Sequence, residues 1–226
     1  MKKAKTLYLA PLLTALILLS PNNALAEICL DIIDQFYFAE KSSIESSYFD
    51  KYLIGKKNSI YYIHAVKTTE TDFNNLVEVF KDMDQYPKFM LGYKGIKVRH
   101  TSDAIKLTRI LFDPPKSPFI SQFTNEVEIV SEHSYYLQCW NQLDENDSRV
   151  EDKNKNAPVV NKGYWRLHNL NNEGTRISYH IVIEPPISLP LFLYRMLVKN
   201  TYVNTFDRIL KRAEYLNKID GAESNK

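Results

Sequence analysis

The residues of this 226-residue chain with the chemistry to hold a metal or start a reaction are five histidines, two cysteines and a scatter of carboxylates. Their spacing assembles neither. His64, His100, His133, His168 and His180 show no metal-ligand spacing and no acid falls into an HExxH pattern, so no metal site is expected. No glycine-rich phosphate loop occurs and no GxSxG elbow surrounds a serine. Neither Cys29 nor Cys139 lies in a recognised nucleophile setting, so no catalytic residue and no cofactor is assigned. The cysteines could form one bridge from the N-terminal segment to a later strand, or sit as two separate buried thiols. Arg109, between Thr108 and Ile110, would meet an acidic ligand group, Glu126 or Glu128 if it pointed inward, and water if it pointed outward. Asn200 interrupts an apolar helical face; buried, its amide needs a partner such as a ligand head group, and simple exposure explains it equally well.

The elements that would position these groups follow an export signal. Lys2, Lys3 and Lys5 precede an apolar run from Leu7 to Leu19 that ends in Ala24-Leu25-Ala26, the three-part pattern of a secretory signal peptide cleaved near Ala26. The run falls short of the roughly 20 residues that a bilayer crossing needs. Ile28, before Cys29, is not the small residue a lipidated cysteine requires. Removing the first 26 residues, with three lysines and no acid, takes the formal charge from +2 to −1. Such a mixed surface lacks the clustered basic footprint of a nucleic-acid binder, so nucleic acid is not an expected partner. The expected location is periplasmic or secreted, an oxidising space where a disulfide persists.

The chain divides into a signal peptide (1–26), an N-terminal helical extension (27–57) in which Leu30, Ile33 and Tyr37 recur at helical spacing, one domain (58–218), and a disordered tail (219–226). Ser59 to Thr68 reads as a strand. Phe73, Leu76, Val77 and Phe80 then mark an amphipathic helix from Asp72 to Lys81, and a short second helix carries Pro87 in its first turn. Strand patterns follow at Ile96 to His100, Ile105 to Phe112, Phe123 to Val130, Tyr135 to Trp140, Gly163 to Leu170 and Thr175 to Ile183, with a polar loop from Asp144 to Asn156. A long helix from Ser188 to Leu216 closes the domain, with Leu193, Met196, Leu197, Val203, Phe206 and Leu210 as its apolar stripe.

In this order, the segments Asp82-Met83-Asp84-Gln85-Tyr86-Pro87-Lys88-Phe89-Met90, Gly163-Tyr164-Trp165-Arg166-Leu167, Thr175-Arg176-Ile177-Ser178-Tyr179 and Pro185-Pro186-Ile187-Ser188-Leu189-Pro190 resemble the START-like, or SRPBCC, superfamily. That superfamily includes lipid-transfer START domains, polyketide cyclases and the birch pollen allergen type. The resemblance covers about Ser59 to Leu216. It implies an α+β helix-grip fold: a curved antiparallel sheet of about seven strands wrapped around a long C-terminal helix, with two short helices after the first strand. It also implies an apolar cavity between sheet and helix, for which the expected ligand-binding residues are Phe89, Met90, Arg109, Phe112, Trp140, Trp165, Tyr179, Ile181, Met196, Asn200 and Val203. Most of these also read as ordinary core packing. The expected function is binding, and conceivably transport, of a lipid or other hydrophobic small molecule, with transient membrane contact. The alternatives are a cyclase- or dehydratase-like enzyme on an aromatic or polyketide substrate, and a protein-interaction module with a collapsed cavity. No oligomeric state follows from the sequence.

Overall fold

In a computed structural model of the chain, residues 42–43, 46–102, 104–113, 120–187 and 189–223 are described. Strands Ser42–Ser43 (β1), Lys51–Lys57 (β2) and Ile60–Thr69 (β3) come first, then helix Phe73–Lys81 (α1), a 3-10 turn at Met83–Gln85 and the single helical turn Tyr86–Phe89 (α2). Tyr93–His100 (β4), Ile105–Phe112 (β5), Ser121–Glu132 (β6), Tyr135–Gln142 (β7), Val160–Asn169 (β8) and Thr175–Glu184 (β9) follow, and helix Leu191–Glu223 (α3) ends the described chain. All pairings are antiparallel, in one open sheet of order β1-β2-β3-β9-β8-β7-β6-β5-β4.

Local chemistry sets the breaks between elements. Asp72 caps α1, its Oδ1 accepting the N–H groups of Asn74 and Asn75 at 2.9 and 3.1 Å. Pro87 occupies the first turn of α2, where its missing N–H costs nothing. Asn58, at φ 56°, makes the tight turn between β2 and β3, a conformation asparagine tolerates better than most residues. The edge strand β4 carries a register shift between Tyr93 and Gly95 and presents Lys94, Lys97 and Arg99 along its length.

Cross-strand register sorts the side chains onto two faces. Tyr52, Ile54, Tyr61, Ile63, Tyr136, Trp140, Trp165, Leu167, Ile177, Tyr179 and Ile181 share the concave face and join Leu76, Phe80, Met83, Phe89, Met90, Phe206 and Ile209 in the main core. The convex face is buried as well, at Leu53, Tyr62, Leu107, Glu128, Cys139, Tyr164, Ser178, His180 and Val182.

Three expectations are corrected. Lys51–Lys57, placed in a helical extension, is strand β2: Tyr52 and Ile54 alternate with Leu53 and Gly55 in register with β3. Residues 219–223 continue α3 instead of forming a disordered tail, because the lone break signal there, Gly221, costs a helix only about 1 kcal/mol. The inward seam of α3 is Tyr194, Val198, Tyr202, Phe206, Ile209 and Ala213, with Val203 and Leu210 packed beside it, so the expected stripe holds at Val203, Phe206 and Leu210 and fails at Met196, which is exposed. The first turns of α3 are apolar all round, and periodicity cannot choose a face there. The signal, residues 27–41, and residues 224–226 lie outside the described residues.

Gly163 leaves room for the Trp140 ring and the β9 backbone on the strands either side of it. A Cβ there would sit 2.2 Å from the His180 carbonyl oxygen and 2.5 Å from Trp140 Cζ2. Gly163→Ala should therefore lower the unfolding free energy by about 1–3 kcal/mol or more, read from urea denaturation followed by tryptophan fluorescence.

Candidate functional site

The concave face and α3 meet through aromatic rings contributed from both sides. Trp165 lies 4.3 Å from Tyr179, 5.0 Å from Phe80 and 5.3 Å from Phe206, centroid to centroid. Tyr179 meets Tyr202 of α3 at 5.1 Å, and Tyr61 stacks on Tyr194 at 3.9 Å. Trp140 stacks with Tyr179 at 5.9 Å and donates its indole N–H to Asn161 Oδ1 at 3.1 Å. α2 is held to the sheet by a polar network. Tyr136 Oη donates to Gln138 Oε1 at 2.9 Å, Gln138 Nε2 donates to Tyr86 Oη at 3.2 Å, and Tyr86 Oη donates to the Phe80 carbonyl at 2.8 Å.

Burial raises the pKa of Tyr52, Tyr179, Tyr194 and Tyr202 above the ordinary phenol value and pushes Tyr93 up to about 12. These phenols stay protonated and serve as hydrogen-bond donors and apolar walls. Tyr52 stacks on Phe49 at 5.2 Å, and among the described residues its buried hydroxyl has no hydrogen-bond partner. The arrangement is suited to packing around apolar surface and meeting an occasional uncharged polar atom.

Of the residues expected to bind ligand, the structure brings Phe89, Met90, Trp140, Trp165, Tyr179 and Ile181 into this interior, with Val203 packed against it. Phe112 lies on the same face at the β5 end, against Tyr93 at 5.5 Å. Arg109, Met196 and Asn200 are corrections. Arg109 points to the convex side and donates to Thr124 Oγ1, Asn154 Oδ1 and the Lys153 carbonyl, which pin the polar loop; its alternation with Thr108 and Ile110 did not say which face was which. Met196 and Asn200, four residues apart, lie on the solvent side of α3. Tyr52 was missed because its segment was read as helix, although the alternation Tyr52, Ile54 was there to read. Cys139 is fully buried on β7 and its sulfur is not free, and Cys29 lies outside the described residues. A separate open groove of about 520 Å³ runs between Thr69–Asn75 and Ala213–Asn217, and none of the expected residues lines it.

No protein-family model and no curated protein sequence matches the chain. Solved structures do. The STAR-related lipid transfer protein from Xanthomonas axonopodis superimposes with a TM-score of 0.63 at 12% identity, covering 77% of this chain and 98% of that one. Human StAR-related lipid transfer protein 5 gives 0.64 at 9% identity, with 87% and 99% covered. The Zhui aromatase/cyclase from Streptomyces sp. R1128 gives 0.53 at 14%, with 69% and 94% covered. Likeness at such low identity establishes architecture, and with the sheet order and long terminal helix it gives the chain the START-like helix-grip fold. That sheet has eight full strands and the two-residue β1, one full strand more than the seven expected, because β2 joins it.

Two titratable groups are buried on the convex face, away from this interior. Burial lowers His180 to about 3, helped by nearby His64, whose ring centre is 5.9 Å away. Burial, reinforced by the charge of Glu126, raises Glu128 to about 7. A carboxyl whose folded pKa exceeds its unfolded value of 4.5 binds more protons folded than unfolded, so it costs stability as pH climbs from 4.5 through 7. Glu128→Gln should flatten the decline in thermal midpoint over that window and leave the protein more stable than the parent at pH 8. The two proteins should converge below pH 4.5, as differential scanning fluorimetry across a pH series would show.

Proposed function

We propose that the protein binds a lipid or similar apolar molecule between the concave face of its sheet and α3. The observation that carries this reading is an interior of aromatic and aliphatic side chains in which the buried hydroxyl of Tyr52 is left without a partner. Buried polar groups are ordinarily satisfied, and an unpaired one inside an apolar shell suits the polar atom of a ligand. Apolar ligand surface buried there gains about 25 cal/mol per Å² before ordering costs. The printed names of two similar structures, both lipid transfer proteins, support the same reading.

Transient membrane contact is part of the proposal. Phe192 and Met196, one turn apart at the start of α3, are 69% and 65% exposed, and Ile187 just before them is 48% exposed. Side chains of this kind favour an interface where lipid is collected or released. Among the described residues, no helix is long and apolar enough to cross a membrane. Native mass spectrometry of the protein from its own cells should show bound lipid, and Phe192→Asp with Met196→Asp should slow lipid exchange with vesicles several-fold without lowering the amount bound at equilibrium. Protein that is always empty and takes up no lipid would sink the reading.

We further propose export, on the N-terminal signal pattern, and pairing of Cys29 with Cys139. N-terminal sequencing of the protein from its own cells should begin at Glu27, and a thiol reagent should label nothing in denatured, unreduced protein. An intact N-terminus at Met1, or two labelled thiols, would refute the corresponding half.

A further inference from the structure

Four uncharged polar side chains cross the concave face in one row and take no part in its aromatic packing except through one indole. The register sets Thr108 opposite Asn125 and Asn125 opposite Gln142, and on the adjacent strand Asn161 accepts the Trp140 indole N–H. Gln142 lies two residues from Trp140, Asn161 two from Gly163 and Asn125 two from Val127, so the row borders the interior on the same face. Asn125 is only 4% exposed. Its Oδ1 has no hydrogen-bond partner among the described residues, and neither does Oε1 of Gln142. The Gln142 amide is not free to turn, because its Nε2 donates to the Pro158 carbonyl at 2.8 Å and leaves Oε1 as the atom in want of a donor.

Opposed side chains on neighbouring antiparallel strands have Cβ atoms about 5 Å apart, so the two acceptors can address one ligand group. A pair of acceptors asks for donors. A hydroxyl supplies one O–H, which the two acceptors can share, whereas a phosphate or carboxylate brings further lone pairs and a charge. The row itself holds no cation to meet such a charge, and burial lowers the pKa of Lys106, two residues before Thr108, against the opposing effect of Asp84. Resting on the ligand-binding reading above, we propose that this amide row is a head-group subsite that selects an uncharged lipid bearing a free hydroxyl over one bearing phosphate or carboxylate.

Titration with fluorescently labelled diacylglycerol, and with phosphatidic acid carrying the same chains and label, compares a hydroxyl with a phosphate at one position. Diacylglycerol should bind about tenfold more tightly or better, and Asn125→Leu and Gln142→Leu should each weaken it about tenfold while a pyrene-labelled hydrocarbon binds as before. Ligand-free Asn125→Leu should melt no lower than the parent, since it removes a buried acceptor that has no partner. Gln142→Leu, at a half-buried position, carries the test should Asn125→Leu not fold. Equal affinity for the two lipids, or variants that keep the parent's preference, overturns the subsite. Failure of all three probes to bind overturns the ligand-binding reading on which it rests.

Discussion

The contact between the concave face and α3 is the constraint from which the rest of the molecule follows. Phe206 is fully buried between Phe49 of the β2 approach, at 4.9 Å, and Trp165 of β8, at 5.3 Å, so one side chain ties the helix both to the β2 end of the sheet and to its middle strand. Burying a side chain of this size contributes about 1.5–3 kcal/mol, and aromatic pairs add about 0.5–1.5 kcal/mol each. Tyr48 adds a directional bond, its Oη donating to Asp207 Oδ1 at 2.6 Å on the next residue of the helix. A helix of 33 residues held along one seam leaves its opposite side to water, which is where Phe192, Met196 and Asn200 are found.

Much of this architecture was legible in the residues. The spacing of Phe73, Leu76, Val77 and Phe80 with Asp72 before it, and the alternation through Trp165 and Tyr179, specified elements whose periodicity admits one answer. In strand β2 the alternation through Tyr52 and Ile54 is too brief to outweigh the helical spacing of Leu30, Ile33 and Tyr37 before it, and the pairing that decides the matter comes from β3. The helix face was ambiguous for another reason: Phe192, Leu193, Tyr194, Met196 and Val198 surround the axis, and the choice of seam belongs to Tyr61 and Tyr179, which lie more than a hundred residues and some fifteen residues away in sequence. The polar row of Thr108, Asn125, Gln142 and Asn161 could not be read at all before register was known, since each member looks like an ordinary strand residue on its own.

The two faces of the sheet differ in kind. The concave side joins rings to rings, with Lys56 reaching over the Tyr61 ring, while the convex side buries His180 and Glu128. Glu128, which burial and the charge of Glu126 raise to about 7, therefore sits in the wall behind the interior and not within it.

An open sheet of this length has a free margin at β4, and a free margin is a template onto which another chain can add. Here the irregular pairing at Tyr93/Gly95 spoils its flatness, while Lys94 and Arg99 are drawn aside to Asp113 and Glu151 at 3.7 and 2.6 Å. That margin is thus irregular and charged, and the fold can stay unclosed without inviting fibrous self-association.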